Sequence, residues 1–151
     1  MFTDNPDILV PTDFSEPALS ALQHAVTLAR ALGGRITLLH VGRIPYLWNA
    51  EMATFGPPGP GAMDTFIADL AHEETRLMNA VADEHIPGDI ERRVVHRQGY
   101  PPGEIVAQAE EGKHAMVVMG TRGRTGVSRV MLGSVTERVL RYSPVPVLAT
   151  H

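Results

Sequence analysis

The stretch Ala115-Met-Val-Val-Met-Gly-Thr-Arg-Gly-Arg-Thr-Gly-Val-Ser-Arg-Val-Met-Leu-Gly-Ser-Val135 decides the fold. Its first five residues are an apolar run that reads as a buried strand. Its end opens a helical pattern from Ser134 to Tyr142. Between them stand Gly120, Gly123 and Gly133. Gly120 lets the chain turn sharply off the strand. Gly123 and Gly133 let backbone approach a ligand with no Cβ in the way. A strand, a glycine-rich loop and a helix N-terminus together form an anion site, because the N–H groups point at the guest. Arg122, Arg124 and Arg129 add positive charge to the loop, which suits a phosphate. The bland alternative is a helix cap following a flexible loop.

Working outward, the chain repeats the strand-then-helix pattern. Ile8-Leu9-Val10 is a short buried strand ended by Pro11. Ser15-Glu16-Pro17 starts a helix, with Ser15 as N-cap and proline tolerated in the first turn. Leu22, Ala25, Val26, Ala29 and Leu32 recur at helical spacing, and Gly33-Gly34 ends that helix. Arg35 to Val41 reads as strand two. Residues 42–62, rich in proline and glycine, read as a long irregular loop inside one domain. Phe66, Ile67, Leu70, Ala71, Leu77, Met78, Val81 and Ala82 mark a long amphipathic helix. Ile90 to His96 reads as strand three, residues 99–103 as a turn, and Glu104 to Glu111 as a short helix. Ala115 to Met119 is strand four and Val145 to Ala149 strand five.

This alternation predicts a single α/β domain over residues 1–151, a three-layer sandwich around a five-stranded parallel sheet with right-handed crossovers. Ligands in such sheets lie beyond the carboxyl ends of the strands, where strand order reverses. If strand one neighbours strand four, as in the order 3-2-1-4-5, Pro11-Thr12-Asp13 lies beside Gly120-Thr121-Arg122-Gly123.

Composition narrows the partners. The net charge of −4 argues against nucleic acid as a general partner. Residues 120–143 nevertheless hold five arginines and one acid, Glu137. A cationic segment in an acidic chain suggests a small anionic ligand, although Arg138 and Arg141 also fit a solvated helix face. Cysteine is absent, which excludes disulfides and thiolate chemistry and fits a reducing compartment. The N-terminus does not read as a signal peptide and no run approaches a membrane span, so the expected location is the cytoplasm, with no membrane partner.

Several residues are candidates for chemistry. Asp13 could accept from ribose hydroxyls or hold a metal-bound water, and it also fits an Asx-type cap at the helix entry. Val41 could line an adenine pocket through its backbone, or be plain core. The Ser134 and Thr136 hydroxyls could cap orphan N–H groups or bond a phosphate. The loop lacks the lysine that a nucleotide-hydrolysing loop of the G-x-x-x-x-G-K-[ST] type needs, since Lys113, the one lysine of the chain, precedes the strand. The fingerprint G-x-G-x-x-G is also absent. The seven histidines form no metal spacing, and no catalytic residue is assigned. His40 reads as structural. His72, His85, His96 and His114 read as exposed or local partners. Met116, Met119 and Met131 read as core fillers.

These features together resemble the universal stress protein family. Ile8-Leu-Val-Pro-Thr-Asp-Phe-Ser15 is similar to its first strand and acidic turn, and Leu39-His40-Val41 to its second strand end. Gly99-Tyr100-Pro101 with Ile105 is similar to its G-x-P turn and following helix. Gly120-x2-Gly123-x9-Gly133-Ser134 matches its nucleotide signature without departure, and Val145-Pro-Val-Leu148 is similar to its terminal strand. The likeness spans nearly the whole chain except residues 42–62, which vary in that family.

The resemblance implies the ATP-binding branch. By that analogy Pro11, Thr12, Asp13 and Val41 would surround adenine and ribose. Met119 would adjoin them, and Gly120, Arg122, Gly123, Gly133, Ser134, Val135 and Thr136 would surround the phosphates. It implies ATP or AMP as ligand, with Mg²⁺ as a companion of the phosphates, and a homodimer paired through Val145–Ala149. The function expected is a nucleotide-binding stress-response module, with hydrolysis slow at most. Two alternatives stand beside it: a dimeric scaffold with no bound nucleotide, and a slow ATP hydrolase.

Overall fold

The computed structural model describes residues 4–43, 54–56, 59–123 and 131–151. Five strands form one parallel sheet: β1 (Asp7–Pro11), β2 (Arg35–Gly42), β3 (Arg92–Gln98), β4 (Met116–Gly120) and β5 (Val147–Thr150). Their order is β3-β2-β1-β4-β5, the expected order with β1 beside β4. Four helices of the described residues connect them: α1 (Glu16–Leu32), α2 (Ala62–His85), α3 (Pro101–Glu111) and α4 (Ser134–Tyr142).

The middle strand is apolar on both sides, so both faces of the sheet must be covered. Ile8 and Val10 pack with Leu22, Ala25 and Val26 of α1 and with Met78 and Ala82 of α2. Leu9, on the opposite face, packs with Ile105 and Ala109 of α3 and Val139 of α4. Two helices therefore cover each face, giving three layers. Each fully buried leucine or isoleucine side chain contributes on the order of 2 kcal/mol relative to exposure.

Local chemistry sets the helix ends. Ser15 caps α1 by accepting from the Ala18 N–H, and Gly33 ends it in the left-handed conformation at φ 61°. Pro101 and Pro102 open α3, three residues before the expected start at Glu104. The first helical turn makes no use of the N–H that proline lacks, so the prolines start the helix and do not precede it.

Strand β3 runs two residues later than expected. Ile90 is buried in the core, but it closes a turn by donating its N–H to the Pro87 carbonyl. Strand β5 begins at Val147 because Pro146 has no N–H for the ladder; its carbonyl still accepts from Val117. Of the expected loop 42–62, residues 44–53 and 57–58 lie outside the described residues. Its end holds as expected, with α2 starting at Ala62 after Gly61 in the left-handed conformation.

Candidate functional site at the carboxyl ends of β1 and β4

The chain leaves β1 toward β2 on one side and reaches β4 on the other, so the sheet order reverses between β1 and β4. Ile8 pairs with Met116 and Leu9 with Val117. This register carries Pro11-Thr12-Asp13 and Gly120-Thr121-Arg122-Gly123 out of the sheet side by side.

The turn after β1 is tightly built. The Thr12 N–H donates to the Leu39 carbonyl and the Thr12 Oγ1 accepts from the Phe14 N–H. The Asp13 carboxylate accepts from the Ser15 N–H at 3.0 Å and from the Ser15 hydroxyl. This is an Asx turn, one of the two readings available for Asp13. It drives Phe14 to a φ of 66°, in the left-handed region that non-glycine residues seldom occupy. Asp13 Oδ1 carries the turn, while Oδ2 faces the glycine loop. A Cβ on Gly123 would stand 2.6 Å from that oxygen. The two segments are thus in contact, and a side chain at position 123 would displace the Asp13 carboxylate.

The loop reaches α4 through backbone. Gly133 N–H donates to the Thr121 carbonyl at 2.7 Å, and a Cβ on Gly133 would stand 3.1 Å from that carbonyl oxygen. Gly133 is the N-cap of α4 and has no side chain to cap with. The N–H groups of Ser134, Val135 and Thr136 come before the first intrahelical bond, which Glu137 makes to Gly133. They point out of the helix toward the carboxyl end of the sheet. The Thr136 hydroxyl is committed elsewhere, donating to the Gly120 carbonyl at 2.8 Å in the protein interior. Thr136 therefore offers a backbone N–H to the site and fixes Gly120 with its side chain.

An open cleft of about 610 Å³ runs from Ser134 and Val135 to Arg43, Gln98, Tyr100 and Pro101. One wall is the turn after β3. Gly99 there has a φ of 148° and leaves room for the Glu104 side chain 3.0 Å from where its Cβ would be. The Arg138 guanidinium lies 5.6 Å from the centre of the Tyr100 ring and ties α4 to that turn. Arg97 holds the same turn to α3 through Glu104 at 2.7 Å and Glu111 at 2.9 Å. Those carboxylates raise the Arg97 pKa above its ordinary value, so it stays a fixed cation.

Of the sequence candidates, Pro11, Thr12, Asp13, Gly120, Arg122, Gly123, Gly133, Ser134, Val135 and Thr136 all lie at this end of the sheet. Val41 and Met119 are buried in the core cluster beneath it, beside Leu9 and Val139. Arg124 and Arg129 lie outside the described residues. Arg43, Gln98 and Tyr100 were not named as site residues from sequence. Their one signal is position, since each ends or follows a parallel strand. Among the described residues no group of three or more His, Asp or Glu side chains is arranged to hold a metal ion.

The arrangement defines a doubly wound α/β protein with a glycine-bearing loop and a helix N-terminus at its switch point. Residues 5–151 match the model of the universal stress protein family, and the chain belongs to that family. It is 31% identical over 142 residues to universal stress protein MJ0531 of Methanocaldococcus jannaschii, covering 93% of this chain and 79% of that one. The solved structure of MJ0577 from the same organism superposes with a TM-score of 0.79 at 29% identity, covering 98% of this chain and 96% of that one. A universal stress protein in complex with cAMP shares the fold, with a TM-score of 0.65 at 23% identity over 99% of this chain and 98% of that one.

Proposed function

We propose that this chain binds an adenine nucleotide, ATP or AMP, at the carboxyl ends of β1 and β4 and acts as a stress-response module of the cytoplasm. The observation that carries the reading is the contact of Gly123 with Asp13: the loop presses its backbone on the acidic turn at the one point where a Cβ would intrude. A second support is the uncapped N-terminus of α4, whose N–H groups and positive dipole end suit phosphate oxygens. A third is that a protein of the same fold carries cAMP.

In this reading Pro11, Thr12, Asp13 and Val41 surround adenine and ribose, and Met119 is a further residue of the nucleotide site. Gly120, Arg122, Gly123, Gly133, Ser134, Val135 and Thr136 surround the phosphates, chiefly through backbone. Mg²⁺, where present, accompanies the phosphates, with Asp13 reaching it through water.

Retention of the phosphates is favoured over their cleavage. Lys113, the single lysine, lies before the amino end of β4, at the opposite edge of the sheet from the loop. The whole site lies within one domain. The chain forms a homodimer through Val145–Ala149, because β5 is an edge strand whose Leu148 is 39% exposed.

The experiment is to release small molecules from the purified protein by heat and resolve them by ion-exchange chromatography. Adenine nucleotide near one per chain is the expected result. Protein that emerges empty and stays empty after incubation with ATP and with AMP contradicts the reading and favours a scaffold without ligand.

A further inference from the structure

Beneath the turn after β1 lies a cluster that the nucleotide reading does not use. His40 on β2 and His96 on β3 are paired neighbours in the sheet, with ring centres 6.0 Å apart. Glu74 of α2 reaches between them. Its Oε2 accepts from His96 Nε2 at 2.7 Å, and its Oε1 lies 3.4 Å from His40 Nε2. Gly42 makes the space: a Cβ there would stand 2.6 Å from Glu74 Oε2 and 3.2 Å from His96 Nε2. All three side chains are at least 85% buried.

His40 touches the ligand-binding turn twice. Its Nδ1 lies 2.7 Å from the Thr12 carbonyl oxygen, and its ring packs 4.6 Å from the ring of Phe14, the residue with left-handed backbone. A carbonyl only accepts, so Nδ1 carries a hydrogen. In the neutral ring Nε2 is then a bare lone pair facing a carboxylate oxygen. One further proton turns that contact into an ion pair and strengthens the bond to Thr12 by making it charge-assisted. The other titratable group at the turn is Asp13, bonded to Ser15. On the flanking elements, Glu73 pairs with Arg76 on the exposed face of α2, and Arg97 of β3 is held by Glu104 and Glu111.

We infer that His40 is a positioning residue for the turn Thr12–Phe14, and that protonation of the His40–Glu74–His96 cluster tightens this turn and raises affinity for the nucleotide. The inference rests on the proposed nucleotide site. By linkage, nucleotide binding then draws a proton into the protein.

The test is calorimetric titration of ATP between about pH 5.5 and 8, the range in which imidazoles change charge, in two buffers of different ionisation enthalpy. Wild type is compared with His40→Asn, which keeps a donor for Thr12 and cannot titrate. Titration of the ATP phosphates is common to both and cancels. The expected result is an affinity that rises about fivefold or more toward acid in wild type relative to the variant, with proton uptake lost in the variant. Parallel pH profiles overturn the inference and leave the nucleotide site standing. Absence of binding at every pH overturns both. Should His40→Asn fail to fold, Glu74→Gln takes its place with the same expectation. Equal proton uptake by wild type and variant overturns the inference as well.

Discussion

Strand β1 carries an aspartate at each end of its course, and the two are built in opposite ways. Asp7, at the amino end, is 6% exposed and takes its partners from far along the chain. Arg35 Nε donates to it at 3.0 Å and the Thr37 hydroxyl at 2.8 Å. His114 Nδ1 lies 3.1 Å away, an electrostatic contact without good hydrogen-bond alignment. Asp13, just past the carboxyl end, bonds Ser15 two residues on and turns its other oxygen toward Gly123. The first arrangement pins β1, β2 and the entry to β4 together. The second shapes a concave edge. The sheet is closed by long-range side-chain bonds at one end and left as an open edge, lined with backbone, at the other.

Breaking each end should therefore have separate consequences. The largest effect is expected for Asp7→Ala, which leaves the Arg35 and Thr37 donors and the His114 ring facing a buried hole. Urea unfolding should register a loss of about 3 kcal/mol, with nucleotide affinity of the remaining folded protein little changed. The same site predicts acid sensitivity. Burial alone would raise the Asp7 pKa, but His114, Thr37 and Arg35 together outweigh it and hold the group below its ordinary value. A carboxylate depressed in the folded state contributes stability above its unfolded value and loses it as pH falls through its folded value. Unfolding midpoints measured below about pH 4 should drop in wild type and drop less steeply in Asp7→Asn.

The converse substitution is Gly123→Val. Its Cβ meets the end of the Asp13 side chain, which can shift, so the fold should survive. Nucleotide affinity should fall tenfold or more, about 1.4 kcal/mol, by titration, with an unfolding midpoint close to that of wild type. A variant with a lowered unfolding midpoint and wild-type affinity would reverse the assignment of the two ends.

The smallest effect sharpens the boundary between them. Ser15→Ala removes both the cap of α1 and the hydroxyl partner of Asp13. A stability loss of about 1 kcal/mol is expected from the cap. A weaker loss of affinity should accompany it, because Asp13 remains bonded to the Ser15 N–H. This is the one position where stability and binding should move together.

Much of the open end was legible in the sequence because its signals are local. Glycines at 120, 123 and 133 stand directly after an apolar strand and before a helix, and each turns out to touch a carbonyl or a carboxylate. The parallel sheet followed from alternation, and the expected order 3-2-1-4-5 is the one observed. What could not be read depends on pairs distant in the chain. Nothing near His40 announces Glu74, which enters from a helix beyond the variable loop, and nothing near Asp7 announces His114. Phe14 gives no sign of its left-handed backbone, since the Asx turn that accompanies it depends on Asp13 capturing the Ser15 N–H. The boundaries of α3 and β5 moved because proline ends a ladder but opens a helix.

The central claim is that the carboxyl end of this sheet holds an adenine nucleotide. Calorimetric titration of ATP into the wild-type protein at neutral pH tests it most directly. The account predicts saturable binding of one molecule per chain, competed by AMP. No heat and no competition by any adenine nucleotide at millimolar concentration would contradict it.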